Sequence, residues 1–282
     1  MNARLYDPVI GRFLSPDPYV QMPDFSQNFN RYTYCLNNPL VYKDENGEFI
    51  IAFFSHFIKG LVKKQNPFKT GWQGVKNEYM LLKGLFSGGS QRTKSRFTRE
   101  LPQTAAGFWA SYFSNLFGFT RKVSSWGGAT VSQLEPAFLQ GSKAFTLGSY
   151  IMGGSSIEAD PNNVIFQHEY GHYLQSQEMG WSYLFKVAIP SLKSAAGDGM
   201  HCFFKTEQDA NMRSLIYLSE NVEGFYRSED VDYNNKGWDF WKNSLDPEQK
   251  QVRGRYYDVR DASVRSDLIK SLSLTGGLWY IK

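Results

Sequence analysis

Residues 160–180 read DPNNVIFQHEYGHYLQSQEMG, and this stretch decides how the second half of the chain is interpreted. Asp160 is a common helix cap, and Pro161 suits the first helical position. Gly180 is the kind of residue that ends a helix. The sequence therefore predicts a helix of about 18 residues with a defined start and a defined end.

The predicted helix contains His168-Glu169-Tyr170-Gly171-His172, an H-E-x-x-H motif. Four residues advance a helix by slightly more than one turn, so His168 and His172 project from one face and can bind one tetrahedral metal ion. Glu169 is rotated away by about 100° and can reach a water at an open metal position. We expect one Zn²⁺ per chain and Glu169 as the catalytic base. The alternative is two surface histidines that bind no metal.

A zinc site of this kind needs a third protein ligand from another element. Residues 205–220, KTEQDANMRSLIYLSE, contain Thr206-x-x-Asp209, a capping-box pattern that predicts a helix start. Glu207 and Asn211 share one face of that helix, and we predict Glu207 as the third ligand. Asp209 is a poorer candidate because two residues turn it about 200° away. The reserve ligands, in the loop before this helix, are Asp198 and His201.

H-E-x-x-H followed by E-x-x-A-N resembles the gluzincin metallopeptidases, whose second motif is E-x-x-x-D. In that family the final acid orients a ligand histidine, so the resemblance implies a supporting role for Asn211, with an amide in place of the carboxylate. It also implies the zincin order, in which a strand at the sheet edge before the active helix binds substrate. Alternating β-formers over residues 143–154 predict such a strand. The residues given the edge-strand role are Thr146, Leu147, Gly148, Ser149, Tyr150 and Ile151.

The gluzincin resemblance implies a zinc-dependent endopeptidase. Glu169 takes a proton from a metal-bound water and passes it to the leaving amine. The developing oxyanion needs a further donor, which residue type alone does not assign. The candidates are Tyr173, Tyr183, His201 and Tyr257. Each is equally explained as a packed or surface residue.

The first 48 residues contain ARLYDPVIGRFLSPDP and NRYTYCLNNPLVYKDENGE, whose turn residues predict short extended pieces. Both stretches resemble the RHS repeat-associated core, which closes large β-cocoon proteins that encase a C-terminal toxin. The resemblance implies aspartyl self-cleavage by Asp17 and Asp44, which keep the aspartates of two otherwise altered motifs; the alternative is that they cap turns. It also implies a bacterial toxin that is exported with the RHS cocoon, attacks a protein in a target cell and has a cognate immunity protein.

Charge divides the chain into three parts. Residues 1–48 hold 4 basic and 6 acidic side chains, residues 49–122 hold 12 and 2, and residues 123–282 hold 15 and 19. The basic, aromatic middle predicts either contact with an anionic membrane or a solvated linker face. No groove-reading motif accompanies it, so we expect no nucleic-acid partner.

We therefore predict an α+β fold in three parts. Residues 1–48 are an RHS-core remnant, residues 49–100 are a basic aromatic linker and amphipathic segment, and residues 101–282 are a zincin-like metallopeptidase domain. Within the middle part, the glycine- and serine-containing residues 84–100 are predicted to be the linker itself.

Composition excludes several other classes of protein. Cys35 and Cys202 are too few for a disulfide framework and form no C-x-x-C pair. No apolar run reaches the roughly 18 residues of a membrane span, and the N-terminus lacks the apolar core of a signal peptide. We expect no export signal in the chain itself. The alternative function is a membrane-active toxin that uses the basic segment, with a purely structural metal site.

Overall fold

The computed structural model describes residues 6–7, 12–14, 16, 32, 48–139, 143–195, 204–223, 225 and 262–281. The chain divides into two compact units, Met1–Ile51 and Ala52–Lys282. In the first unit, β1 (Tyr6–Asp7) pairs antiparallel with β2 (Arg12–Phe13). The candidate self-cleavage residues Asp17 and Asp44 lie outside the described residues.

In the described part of the chain, four helices precede the main sheet. They are α1 (Glu48–Val62), α2 (Pro67–Phe86), α3 (Ser90–Arg96) and α4 (Leu101–Leu116). Pro67 and Pro102 lie in first helical turns, where the missing N–H would have no intrahelical partner. Asn66 caps α2, because its side-chain oxygen accepts the backbone N–H of Lys69 at 3.1 Å.

Residues 84–100, where the sequence predicted a linker, contain α3 and two buried arginines. Arg96 Nε donates to Ser149 Oγ at 2.8 Å, and Arg92 Nη2 donates to Tyr217 Oη at 3.1 Å. A buried guanidinium group needs acceptors for its N–H donors. Backbone carbonyl oxygens accept from the further donors of Arg92 and Arg96. Ser87, Gly88 and Gly89 join α2 to α3, whereas Gly84, Ser90 and Ser95 lie inside these helices. Composition alone does not distinguish such a packed stretch from a linker.

The main sheet has four strands and mixed directions. Its strands are β3 (Thr120–Trp126), β4 (Ala129–Leu134), β5 (Ala144–Leu147) and β6 (Tyr150–Gly153). The spatial order is β3-β4-β6-β5. β4 and β6 run parallel, and the two outer pairs are antiparallel. The described residues combine this sheet with eight α-helices, so the predicted α+β class is confirmed.

Residues 143–154 form a hairpin and not the single strand that the sequence predicted. The turn is Gly148-Ser149, which joins β5 to β6. Gly148 has a φ of +60°, and a Cβ there would lie 2.3 Å from Thr104 Oγ1. Of the six predicted edge-strand residues, only Thr146 and Leu147 lie in the edge strand β5. Tyr150 and Ile151 belong to β6, which is paired on both sides.

The helices that follow the sheet carry the H-E-x-x-H motif and the predicted third ligand. They are α5 (Val164–Met179), a 3₁₀ turn (Gly180–Ser182), a π-helical turn (Leu184–Ala188), α6 (Ile189–Ala195), α7 (Lys205–Asn221) and α8 (Ala262–Leu272). The cap of α5 is Asn163, which accepts the N–H of Phe166 at 3.0 Å. Asp160, the predicted cap, instead accepts the N–H of Asn162 in a turn before the helix.

The core lies where α5 packs between the sheet and α7. Its buried apolar cluster comprises Ala129, Val131, Ile151, Ile157, Phe166, Tyr170, Tyr173, Leu174, Tyr217 and Leu218. α5 and α7 approach closely at Gly171, where a Cβ would lie 2.0 Å from the carbonyl oxygen of Ala210. This close crossing brings the histidines of α5 next to Glu207 of α7. Within the described part of the chain, no helix is long and apolar enough to cross a membrane.

Candidate metal centre

Three side chains with metal-binding atoms converge where α5 crosses α7. The Nε2 atoms of His168 and His172 each lie 3.1 Å from Glu207 Oε2. One ligand atom from each of the three residues lies within 4.8 Å of the others. The two imidazole rings are 4.9 Å apart and nearly perpendicular. These are the three residues that the sequence assigned as metal ligands, and the fold brings them together.

The outer nitrogen of each imidazole donates to a side-chain amide. His168 Nδ1 lies 2.8 Å from Asn211 Oδ1, and His172 Nδ1 lies 2.7 Å from Gln175 Oε1. Since an amide oxygen only accepts, each Nδ1 carries the proton. The neutral tautomer then leaves a lone pair on both Nε2 atoms, and both lone pairs face the Glu207 carboxylate.

Two imidazole nitrogens and a carboxylate that face one another need a positive charge between them. Burial lowers the pKa of His172, but the charge of Glu207 and a hydrogen bond to it outweigh burial and raise that pKa to about 9. Burial raises the pKa of Glu207, and the two histidines outweigh it and hold that pKa far below its usual range. A proton or a metal ion can supply this positive charge. Two imidazole nitrogens and one carboxylate oxygen are ligands that suit Zn²⁺.

Glu169, the predicted base, is buried and fixed by the sheet. Thr146 Oγ1 donates to Glu169 Oε2 at 2.6 Å and approaches the Glu169 backbone oxygen at 3.1 Å. The negative charge of Glu169 contributes to the raised pKa of His172, so the carboxylate lies near the imidazoles. The sequence predicted a backbone role for Thr146 at a substrate-binding edge, and the structure adds a side-chain contact with Glu169.

Tyr183 is the oxyanion candidate that the structure places near Glu169. Its hydroxyl donates to the backbone oxygen of Thr146 at 3.1 Å, and its side chain is buried. Burial raises the pKa of Tyr183 well above its usual value, and the charges of Glu169 and Glu207 raise it further. Tyr173 packs against Tyr170 in the core. The other two candidates, His201 and Tyr257, lie outside the described residues.

Asp209 supports the site as a partner of Gln175. Gln175 Nε2 donates to Asp209 Oδ2 at 2.6 Å and to the Thr206 backbone oxygen at 2.8 Å. These two bonds fix the amide orientation that presents Oε1 to His172. Asp209 also accepts from Arg213 Nε at 2.6 Å and from the backbone N–H of Leu274 at 2.9 Å. The sequence missed this role, although Asp209 and Arg213 have the i, i+4 spacing of a helical ion pair.

α7 begins without the capping box that the sequence predicted. The residue at its N-cap is Phe204, whose side chain makes no capping hydrogen bond. Thr206 Oγ1 instead donates to Glu207 Oε1 at 2.9 Å. The threonine therefore holds the carboxylate oxygen that the histidines do not contact. Both reserve ligands, Asp198 and His201, fall outside the described residues.

Comparisons with known proteins give no relative for this chain: no family model, no curated protein and no solved structure matches it. The resemblances to the RHS core and to the gluzincins therefore rest on the motifs quoted above. The geometry of the candidate metal centre stands independently of them.

Proposed function

We propose that this chain is a zinc-dependent endopeptidase. The observation that carries the proposal is the convergence of His168, His172 and Glu207 on one point, with both imidazoles held in the tautomer that a metal needs. A structural zinc site has four protein ligands as a rule, whereas three leave one position for water. A buried carboxylate directly after the first ligand histidine, Glu169, fits a catalytic site better than a structural one.

His168, His172 and Glu207 would hold a zinc ion, which would supply Lewis acidity and lower the pKa of a bound water. Glu169 accepts the proton of the attacking water at its carboxylate and returns it to the leaving amine. Thr146 donates to one carboxylate oxygen, which keeps the Glu169 side chain in one orientation through both transfers. Tyr183 is the candidate donor for the developing oxyanion, because its hydroxyl lies at Thr146 beside Glu169.

The edge strand β5 supports a peptide as the substrate class. Leu147 and Tyr150 flank a two-residue turn and form the bonded pair of the hairpin, so the N–H and C=O of Thr146 in the next pair are directed away from β6. The carbonyl oxygen accepts from Tyr183 Oη at 3.1 Å, which leaves the N–H of Thr146 as the group offered to a substrate. An extended peptide can add to such an edge as a further strand. Its backbone would then lie beside the residue that holds Glu169.

The wider setting of this activity is also a proposal. We infer a zincin-like domain over residues 101–282 that acts as the toxic cargo of a bacterial RHS protein, with residues 1–48 as the end of the cocoon. The sequence motifs quoted for each part support this setting. Export with the cocoon, a protein substrate in a target cell and a cognate immunity protein follow from the same proposal.

Metal analysis of the purified full chain tests the proposed centre. Elemental mass spectrometry should find about one zinc per chain, as for a single three-ligand site, and Glu207→Ala should lose it. The exposed Glu158 is a matched control, since Glu158→Gln should keep the metal. An intact chain that binds no zinc would contradict the proposal.

Glu169→Gln then separates catalysis from a structural metal. If the chain is a peptidase, this variant keeps zinc and loses both proteolysis of labelled casein and toxicity on expression in bacteria. Toxicity that survives Glu169→Gln would instead favour the membrane-active alternative.

A further inference from the structure

The hairpin formed by α1 and α2 carries a continuous patch of aromatic rings. Neighbouring ring centroids in this patch lie 5.2–6.5 Å apart. Its members are Phe53, Phe54, Phe57, Phe68 and Trp72. We call this group the tip patch. Phe57 and Phe68 lie nearest the turn at residues 63–66 that joins the two helices, and Phe53, Phe54 and Trp72 lie further along them.

Much of the tip patch is exposed. Phe54, Phe68 and Trp72 expose 53%, 64% and 47% of their surface. On α1, four exposed apolar side chains share one face by their spacing. They are Phe54 (53%), Ile58 (57%), Leu61 (56%) and Val62 (78%). A contiguous apolar surface of this kind marks an interaction site.

The hairpin presents this apolar surface on a rigid base. α1 and α2 touch at Gly74, where a Cβ would lie 2.5 Å from the ring of His56 and 2.7 Å from the Ala52 carbonyl oxygen. His56 Nε2 donates to the backbone and side-chain oxygens of Asn115 on α4, at 3.0 and 3.1 Å. These contacts join the inner face of the hairpin to α4, and the outer apolar face remains exposed.

The charge near the tip patch is mainly positive. Residues 48–78 contain five lysines and two glutamates, Glu48 and Glu78. Lys59 and Lys63 pair with Glu135 at 2.8 and 2.6 Å. The remaining three are exposed, and they are Lys64, Lys69 and Lys76. Exposed aromatic rings are thus bordered by cations along the same hairpin.

We propose that the tip patch binds the surface of a membrane that contains anionic lipid. Phenylalanine, tryptophan and aliphatic side chains favour the boundary between headgroups and acyl chains, and lysines beside them attract anionic headgroups. A bilayer with anionic lipid provides an apolar boundary for the rings and negatively charged headgroups for the lysines. The hairpin lies in the interface, and this function is independent of the proposed peptidase activity.

Vesicle flotation of the full chain tests this inference. The probes are vesicles of phosphatidylcholine alone and vesicles of phosphatidylcholine and phosphatidylglycerol in equal parts. We expect binding to the mixed vesicles to be at least roughly tenfold stronger, since each lysine near an anionic surface contributes about fivefold. Added salt should weaken this binding.

Two sets of variants separate the apolar and the charged contributions. Phe54→Ser with Phe68→Ser removes exposed rings, and Lys69→Glu with Lys76→Glu reverses charge without changing the aromatic patch. Each pair should reduce binding to mixed vesicles by at least roughly tenfold. Circular dichroism should show that both variants remain folded.

Matched controls lie on the segment after α5. Phe185 and Leu192 are exposed by 74% and 73%, and Lys186 and Lys193 are exposed nearby. Phe185→Ser with Leu192→Ser, and Lys186→Glu with Lys193→Glu, should bind as the parent chain does. Equal binding to both vesicle types, unchanged binding of the tip variants, or equal loss in the controls would each overturn the proposal. So would association of the tip patch with a second copy of the chain in place of vesicles.

Discussion

Gln175 Oε1 lies 2.7 Å from Nδ1 of His172, one helical turn along α5. The same amide donates to Asp209 and to the Thr206 backbone oxygen on α7. A buried glutamine thus joins the two helices that carry the candidate ligands and sets the tautomer of His172. Both imidazoles in this centre are supported by neutral amides, so neither gains the basicity that a carboxylate partner would give.

Replacing Gln175 by leucine should weaken zinc binding by about 10- to 100-fold, because His172 loses the acceptor that fixes its ring. Chelator competition on the purified chain measures the affinity. Gln175→Glu keeps an acceptor for His172 but loses the donor to Asp209 and to the Thr206 backbone oxygen, and its carboxylate would face Asp209, so this variant should also bind zinc less tightly than the parent. Gln177 is a buried control on the same helix, and its side-chain oxygen accepts the N–H of Ile281. An equal loss of zinc affinity in Gln177→Leu would show that Gln175 has no specific role.

Thr146→Val should lower peptidase activity roughly tenfold while zinc content stays unchanged. The substitution keeps the shape of the side chain and removes the hydroxyl that donates to Glu169 Oε2 at 2.6 Å. Thr146→Ser retains the hydroxyl and should recover most of the rate. Casein hydrolysis measured beside metal content gives both readouts, and a serine variant as slow as the valine variant would disprove the role of the hydroxyl.

Gly171→Ala should destabilise the protein by about 2 kcal/mol, because the new methyl group would lie 2.0 Å from the Ala210 carbonyl oxygen. Separation of α5 from α7 should also reduce zinc affinity, since Glu207 moves with α7. Gly277 is the control, as nothing lies within 4 Å of a Cβ built there. Urea unfolding of both variants makes the comparison, and equal stabilities would contradict the close crossing.

Stability should fall as the pH decreases from about 6.5 towards 4, through His56. Burial, and then the charge of Lys59, lower the pKa of His56 to about 4, from 6.5 in the unfolded chain. The unfolded state therefore binds the proton first, and the folded state loses roughly 3 kcal/mol across this window. Above pH 7 this contribution is constant.

His56→Gln should remove the loss of stability between pH 6.5 and pH 4 that His56 causes. Glutamine retains an N–H donor for the oxygens of Asn115 and does not titrate. Denaturant midpoints of parent and variant between pH 4 and pH 7 measure the difference. Identical slopes for the two proteins would show that His56 is not the group responsible.

The local pattern of the sequence was sufficient to predict which side chains share a helix face, and the resemblance to a metal motif supplied the pairing of Glu207 with His168 and His172 that the fold brings about. In a helix, i and i+4 spacing places His168 beside His172, and Glu207 beside Asn211, whatever the rest of the chain does. The contacts of Gln175 and Thr146 were not predictable in this way, because each joins residues 23 to 34 positions apart. Such contacts depend on how α5 packs on β5 and α7, and that packing leaves no periodic signal.

The errors in secondary structure have a related cause. Residues 143–154 alternate as one strand would, yet Gly148 allows a left-handed turn that splits them into β5 and β6. Residues 84–100 have the composition of a linker, yet Arg92 and Arg96 bind carbonyl oxygens that only the folded chain supplies. In both places a few tertiary contacts outweigh the local preference.

The crossing at Gly171 changes how the H-E-x-x-H motif should be written for this chain. Its two unspecified positions are both constrained: Tyr170 fills the core and donates to the Gly127 carbonyl oxygen at 2.9 Å, while Gly171 leaves no room for any side chain. A pattern search that accepts any residue at these two positions ignores the two residues that this packing constrains. Chains that share the full string H-E-Y-G-H, followed by a glutamine three residues on, are the ones in which to look for this architecture.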